Sequence, residues 1–178
     1  MEAKETELAK AAERNELQTM ERLIAEGVSA NAKDEDGTPA LVLAAVGGHL
    51  DALKLLRRHG ANLDATDWFG WTALIEAVYY GKTDCAEALL EWGADKDAVV
   101  KSGETALHLA AHQGQLECAR LLVRARADRA KKNNLGSTAL DRAHAKGKAE
   151  VAALLEQADA DVSTPLPRPS LSCQPPIS

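Results

Sequence analysis

Apolar residues recur along this chain at an interval far longer than a helical turn. Leu41, Leu74, Leu107 and Leu140 stand 33 residues apart, and so do Leu23, Leu56, Leu89, Leu122 and Leu155. Ala44, Ala77, Ala110 and Ala143 keep the same interval, as do two glycine series, Gly37, Gly70, Gly103, Gly136 and Gly48, Gly81, Gly114, Gly147. Five interleaved series at one period define an internal repeat. In each unit a glycine precedes a short apolar-periodic segment and a second glycine ends it. A longer segment then closes on a run such as Leu89-Leu90-Glu91-Trp92-Gly93-Ala94. The pattern predicts two helices joined by a tight turn. Gly48, Gly81 and Gly114 sit where the first helix must stop in a left-handed conformation, which costs a residue bearing Cβ about 1 kcal/mol. Segments this short do not persist alone in water, so each pair needs neighbours on both sides to bury its Leu and Ala faces.

The run Ser102-Gly103-Glu104-Thr105-Ala106-Leu107-His108-Leu109-Ala110-Ala111-His112-Gln113-Gly114, continued by Leu121-Leu122, resembles the ankyrin signature G-x-T-P-L-H-x-A-A-x-x-G. The resemblance covers residues 1 to 157. It implies an all-α solenoid of stacked helix-turn-helix units with β-hairpin-like loops, which binds other proteins and is not an enzyme. The expected units are an N-terminal capping repeat at about 5–27 and repeats at about 34–66, 67–99, 100–132 and 133–157. Ala73, Ala106 and Ala139 stand where the family usually has proline, and Val100 replaces the loop aspartate present as Asp34 and Asp67. These departures are expected to weaken local capping without changing the fold. Polar residues Glu5, Lys10, Glu13 and Arg14 suit the outer face of a first repeat, and charges such as Asp141, Arg142 and Lys146 suit a last one. Five of the six prolines follow Gln157, among Ser and Thr, so residues 158–178 are expected to form a disordered tail. Thr164-Pro165 in it could accept a proline-directed phosphate, but an unmodified linker is the stronger reading.

Aromatic residues make up only 3% of the chain, which fits a core of Leu, Ala, Ile and Val in closely packed helices. A net charge of -6 argues against nucleic acid, whose binders neutralise phosphates with Lys and Arg. The N-terminal MEAKETELAK has no apolar leader, and no run is long enough to insert in a membrane. Cys85, Cys118 and Cys173 are odd in number and have no C-x-x-C spacing, so a reduced compartment, cytoplasmic or nuclear, is expected. The chain is expected to be a monomer without cofactor.

His108 and His112 lie four apart on one helix, a spacing that can hold zinc, but His-Leu-Ala-Ala-His lacks a catalytic Glu. In the family this resembles, the first of these histidines is structural, bonding its own turn and the next loop. Cys85 and Cys118 occupy equivalent places to Ala52 and Val151 and read as small core residues. Arg120, Arg124, Arg126, Arg129, Lys131 and Lys132 form a basic stretch, part of which complements a helix C-terminus and part of which could flank a binding face.

The aromatics themselves are the most informative feature. Trp68, Phe69, Trp71, Tyr79, Tyr80 and Trp92 are all six in the chain, and all lie in the third repeat. The repeat's core positions already belong to Leu74, Ala77 and Leu89. The first five rings therefore read as a partner-binding patch on the finger and inner groove, and Trp92 as a back-face packing residue. Glu35 and Asp36 flank the patch on one side, and Lys101, Glu104, His112, Gln113 and Asn134 on the other. This stripe suits a protein partner presenting an apolar anchor beside a basic group. An alternative is a cage for a methylated lysine formed by Trp68, Trp71 and a tyrosine, with Glu76 or Glu104 adding charge. Stacking on a nucleobase is a third, weaker alternative.

Overall fold

The computed structural model describes residues 2–163. The paired segments predicted from the repeat form helices α1 (Glu2–Glu13) and α2 (Leu17–Ala25), α3 (Ala40–Gly47) and α4 (Leu50–Arg58), α5 (Ala73–Tyr79) and α6 (Thr83–Glu91), α7 (Ala106–Gln113) and α8 (Leu116–Arg124), and α9 (Ala139–Ala145) and α10 (Ala149–Ser163). First helices pack in a row, α1 on α3, α3 on α5, α5 on α7 and α7 on α9. The second helices make a parallel row, α2, α4, α6, α8 and α10. This two-layer stack is an all-α solenoid. Between units the chain turns out as short hairpins, three of them closed by one antiparallel bridge each: Lys33 with Pro39, Thr66 with Thr72, and Val99 with Thr105.

The periodic residues are the core. Leu8, Leu41, Leu74 and Leu107 line the inner row and Leu23, Leu56, Leu89, Leu122 and Leu155 the outer row, all buried. Each such leucine contributes roughly 1.5–3 kcal/mol of burial. Ala44, Ala77, Ala110 and Ala143 are also fully buried between successive inner helices, where a larger side chain would hold the units apart. Leu140, in the fifth unit, is only half-buried, because among the described residues no further repeat packs on that side. Cys85 and Cys118 are free thiols inside the stack. Burial pushes the Cys85 thiol up to about 11, and that of Cys118 also upward, so both stay protonated and unreactive.

One expectation about capping needs correction. Ala73, Ala106 and Ala139 do not weaken the helix starts, because the cap is made one residue earlier. The hydroxyls of Thr72, Thr105 and Thr138 accept the backbone N–H of Ile75, His108 and Asp141 at 3.2, 3.4 and 3.2 Å. Of the first helices α3, α5, α7 and α9, the one without a side-chain cap is α3, where Pro39 replaces that threonine. In the hairpins, Asp34 and Asp67 each accept two backbone N–H groups, and Asn133 does the same in the fifth repeat. Val100 cannot, so the fourth hairpin lacks this brace. The boundary expected at Gln157 also shifts, since α10 continues to Ser163. The rest of the expected tail, with Thr164, Pro165 and Cys173, lies outside the described residues.

Candidate partner-binding surface

The third hairpin is built around Asp67. Its carboxylate accepts the N–H groups of Phe69 and Trp71 at 2.8 and 2.9 Å, which fixes the turn and presents Trp68 and Phe69 at its tip. Both rings face solvent, Trp68 at 72% exposure and Phe69 at 62%. They reach toward different neighbours. The Trp68 indole lies over Gly37 of the preceding hairpin so closely that a Cβ there would collide with its Nε1, and Gly37 has φ +76°, so only glycine suits the position. Phe69 lies under the next hairpin, with Lys101 Nζ 5.3 Å from its ring centre. The Lys101 N–H also donates to the Phe69 carbonyl at 2.9 Å.

The third finger is thus tied by backbone to the fourth. The fourth is tied to the fifth in the same way, Asn134 N–H donating to Ser102 O at 3.0 Å, with the Asn134 side-chain amide donating to Lys101 O at 2.9 Å. Among the described residues no matching backbone bond joins Trp68 to Asp36; the second and third fingers meet through the indole and through Lys33 Nζ, which donates to Thr66 O at 3.4 Å. Fingers three to five form a braced row.

Behind the finger, the open stripe of α5 carries Glu76, Tyr79 and Tyr80, at helical spacings that share a face. Their neighbours Leu74, Ile75, Ala77 and Val78 are buried. Trp71 meets Tyr79 edge to face at 5.2 Å, and Tyr79 meets Tyr80 likewise at 5.1 Å. Trp71 and Tyr79 are half-buried against the core, whereas Tyr80 is exposed. The five rings therefore divide into an exposed pair at the tip and a wall of three packed rings in the groove. Trp92 lies apart, under Arg57 at 4.9 Å, where it packs one second helix against the next.

The flanking residues are also distributed unevenly. Glu35 and Asp36 are exposed on the second finger, Glu35 bonded to Lys10 at 2.9 Å. Glu104 is largely covered, its side chain only 14% exposed, and pairs with Arg142 of α9 at 2.7 Å, joining the fourth repeat to the fifth. His112 and Gln113 are half-buried at the end of α7. Burial, then the nearby Arg142 charge, pushes the His112 pKa below its ordinary value, so the ring is neutral at pH 7. His108 is inside the stack. Its Nδ1 lies 2.9 Å from the Thr105 hydroxyl and its Nε2 3.0 Å from Ser137 O, the turn-to-loop bonding that the resemblance implied. Among the described residues there is no group of three or more His, Cys, Asp or Glu placed to hold a metal ion. In the basic stretch, Arg120 pairs with Glu117 at 3.5 Å and Lys131 donates to Asp97 O at 2.8 Å.

The family model for ankyrin repeats, written for three copies, matches residues 8–100 and again 93–165. This chain belongs to the ankyrin-repeat family. No curated protein matches it closely enough to count as a relative. Ankyrin repeats are in general modules for binding other proteins, through surfaces carried on a repeat scaffold. No helix among the described residues is long and apolar enough to cross a membrane.

Two features of these ankyrin repeats escape a reading centred on aromatics. Leu135, 83% exposed at the fifth finger, occupies the same register as Phe69. An exposed leucine at a hairpin tip was visible as a register mate of Phe69 but carries no aromatic signal. Asn133, which braces that finger, was likewise legible only as the fourth member of the series Asp34, Asp67, Val100.

Proposed function

We propose that this chain is a non-catalytic protein-binding module that captures a segment of a partner along fingers three to five and the adjoining groove. The observation that carries the reading is the exposure of Trp68 and Phe69 on a finger whose backbone is held by Asp67 and by the neighbouring finger. Large rings left in water on a rigid support are poised to bury area without an ordering penalty, the property of binding hot spots. Leu135 extends the apolar row to the fifth finger. Glu35, Asp36, Lys101, His112, Gln113 and Asn134 supply the polar margin, while Glu104 acts through its pair with Arg142. A monomer in the cytoplasm or nucleus fits this role. Edge-to-face packing of Trp71, Tyr79 and Tyr80 places each ring's edge on its neighbour's face, which favours a wall over an open cage for methyl-lysine.

Site-specific photo-crosslinking tests the reading. A benzophenone side chain at position 69 or 80 should yield covalent adducts with another protein in cells expressing the chain, and one at Glu87 on α6 should not. Adducts of equal yield from Glu87, or none from position 69, would overturn it.

A further inference from the structure

Along the inner helices one register position runs Lys10, Leu43, Glu76, Leu109 and Arg142. The two cations at its ends are both paired with finger carboxylates, Lys10 with Glu35 at 2.9 Å and Arg142 with Glu104 at 2.7 Å. Glu76 in the middle is different. Among the described residues its side chain makes no hydrogen bond and no ion pair, and the register neighbours on either side, Leu43 and Leu109, are apolar. It is nevertheless partly buried, and it shares the open face of α5 with Tyr79 and Tyr80. Solvent is partly withdrawn from this carboxyl and nothing in the chain replaces it. Burial, and secondarily the Asp67 carboxylate, raise its pKa to about 7. Such a group gains most from an arriving positive charge, and the aromatic wall beside it offers ring faces and edges to the stem or head of a long cationic side chain.

Resting on the protein-binding reading above, we infer that Glu76, with the Trp71–Tyr79–Tyr80 wall, seats an arginine or lysine side chain of the captured segment. The segment thus carries an apolar residue for the Trp68–Phe69 tip and a cation for Glu76. Its capture strengthens as the carboxyl ionises.

Other titratable groups stand on the elements packed against α5. Helix α3 has none. On α7 stand His108 and His112, both with pKa values lowered chiefly by burial, and both are common to the wild type and Glu76→Gln. On α6 stand Asp84, Cys85, Glu87 and Glu91, and on the hairpin Asp67.

The probe is a phage-displayed library of random 16-residue peptides, selected on the full chain at pH 8. Enriched peptides should share a Lys or Arg at a fixed distance from an apolar anchor. For one such peptide, replacing that cation by citrulline or norleucine should weaken binding to the wild-type chain at least about tenfold, the scale of a charge-assisted bond. The same replacement should change binding to Glu76→Gln less than about twofold. Wild-type affinity should also fall between pH 8 and pH 6, and that of Glu76→Gln should not. Enrichment of apolar anchors without a basic position, or an equal effect of the cation in both proteins, would overturn the inference and leave the finger reading standing. Peptides that bind Trp68→Ala/Phe69→Ala undiminished would overturn both.

Discussion

Replacing Glu76 by Gln keeps the shape of the side chain and removes its charge, so it measures what an unpaired groove carboxylate does to the free protein. A rise from 4.5 to about 7 means that the folded state holds this proton more tightly than the unfolded chain does. Between those two values the folded state binds more protons, so stability falls as pH rises from about 4.5 to about 7 and is level above. At about 1.4 kcal/mol per decade of proton affinity, the full rise amounts to about 3 kcal/mol. Glu76 keeps part of its contact with water, which screens the effect, and we expect about 1–2 kcal/mol. Urea unfolding of both proteins at pH 4, 6 and 8 reads it directly. Glu76→Gln should match the wild type at pH 4 and exceed it by about 1–2 kcal/mol at pH 8. Every other carboxylate is common to the two proteins, so the difference isolates Glu76. A gap that does not change with pH, or a variant less stable at pH 8, would refute the reasoning.

Two further outcomes follow from the backbone and the ends of the stack. Arg126 holds φ +60° in the register where Gly27, Gly60 and Gly93 stand. Arg126→Gly should therefore raise stability by about 0.5–1 kcal/mol in the same urea assay, and a loss would show that its side chain packs more than its exposure suggests. Among the described residues the fifth unit is covered on one side only, so amides of residues 138–157 should exchange with deuterium faster than those of 72–122, and equal protection would contradict it.

The fold was legible because an ankyrin-type stack repeats its core at a fixed period, so that Leu74, Ala77 and Leu89 could be assigned to the interior by register alone. Burial bore this out at each of them. The capping error had a local cause. Taking the family's proline as the cap hid the role of Thr72, Thr105 and Thr138, which sit one residue before it. At the surface, register showed which residues share a finger or groove but not how side chains cross between units. Trp68 over Gly37, Lys101 over Phe69 and the Glu104–Arg142 pair join residues more than 30 apart, and each depends on the direction a side chain takes across a repeat interface. The half-burial of Trp71 and Tyr79 was hidden for the same reason. Only their packing on one another and on the core separates them from Trp68 and Phe69.

The central claim is that Trp68 and Phe69 serve recognition more than stability. The most direct measurement sets peptide affinity beside unfolding free energy for Trp68→Ala, Phe69→Ala and the buried control Leu89→Ala. Rings left 72% and 62% exposed bury roughly 50–80 Å² each, so each replacement should cost only about 1–1.5 kcal/mol of stability. Leu89→Ala, emptying a fully buried site, should cost about 2–5 kcal/mol. For the strongest 16-residue peptide selected on the wild type, each ring variant should lose about thirtyfold or more in affinity, equivalent to about 2 kcal/mol, while remaining folded. Ring variants that unfold as readily as Leu89→Ala, or that hold the peptide at wild-type affinity, would contradict the account.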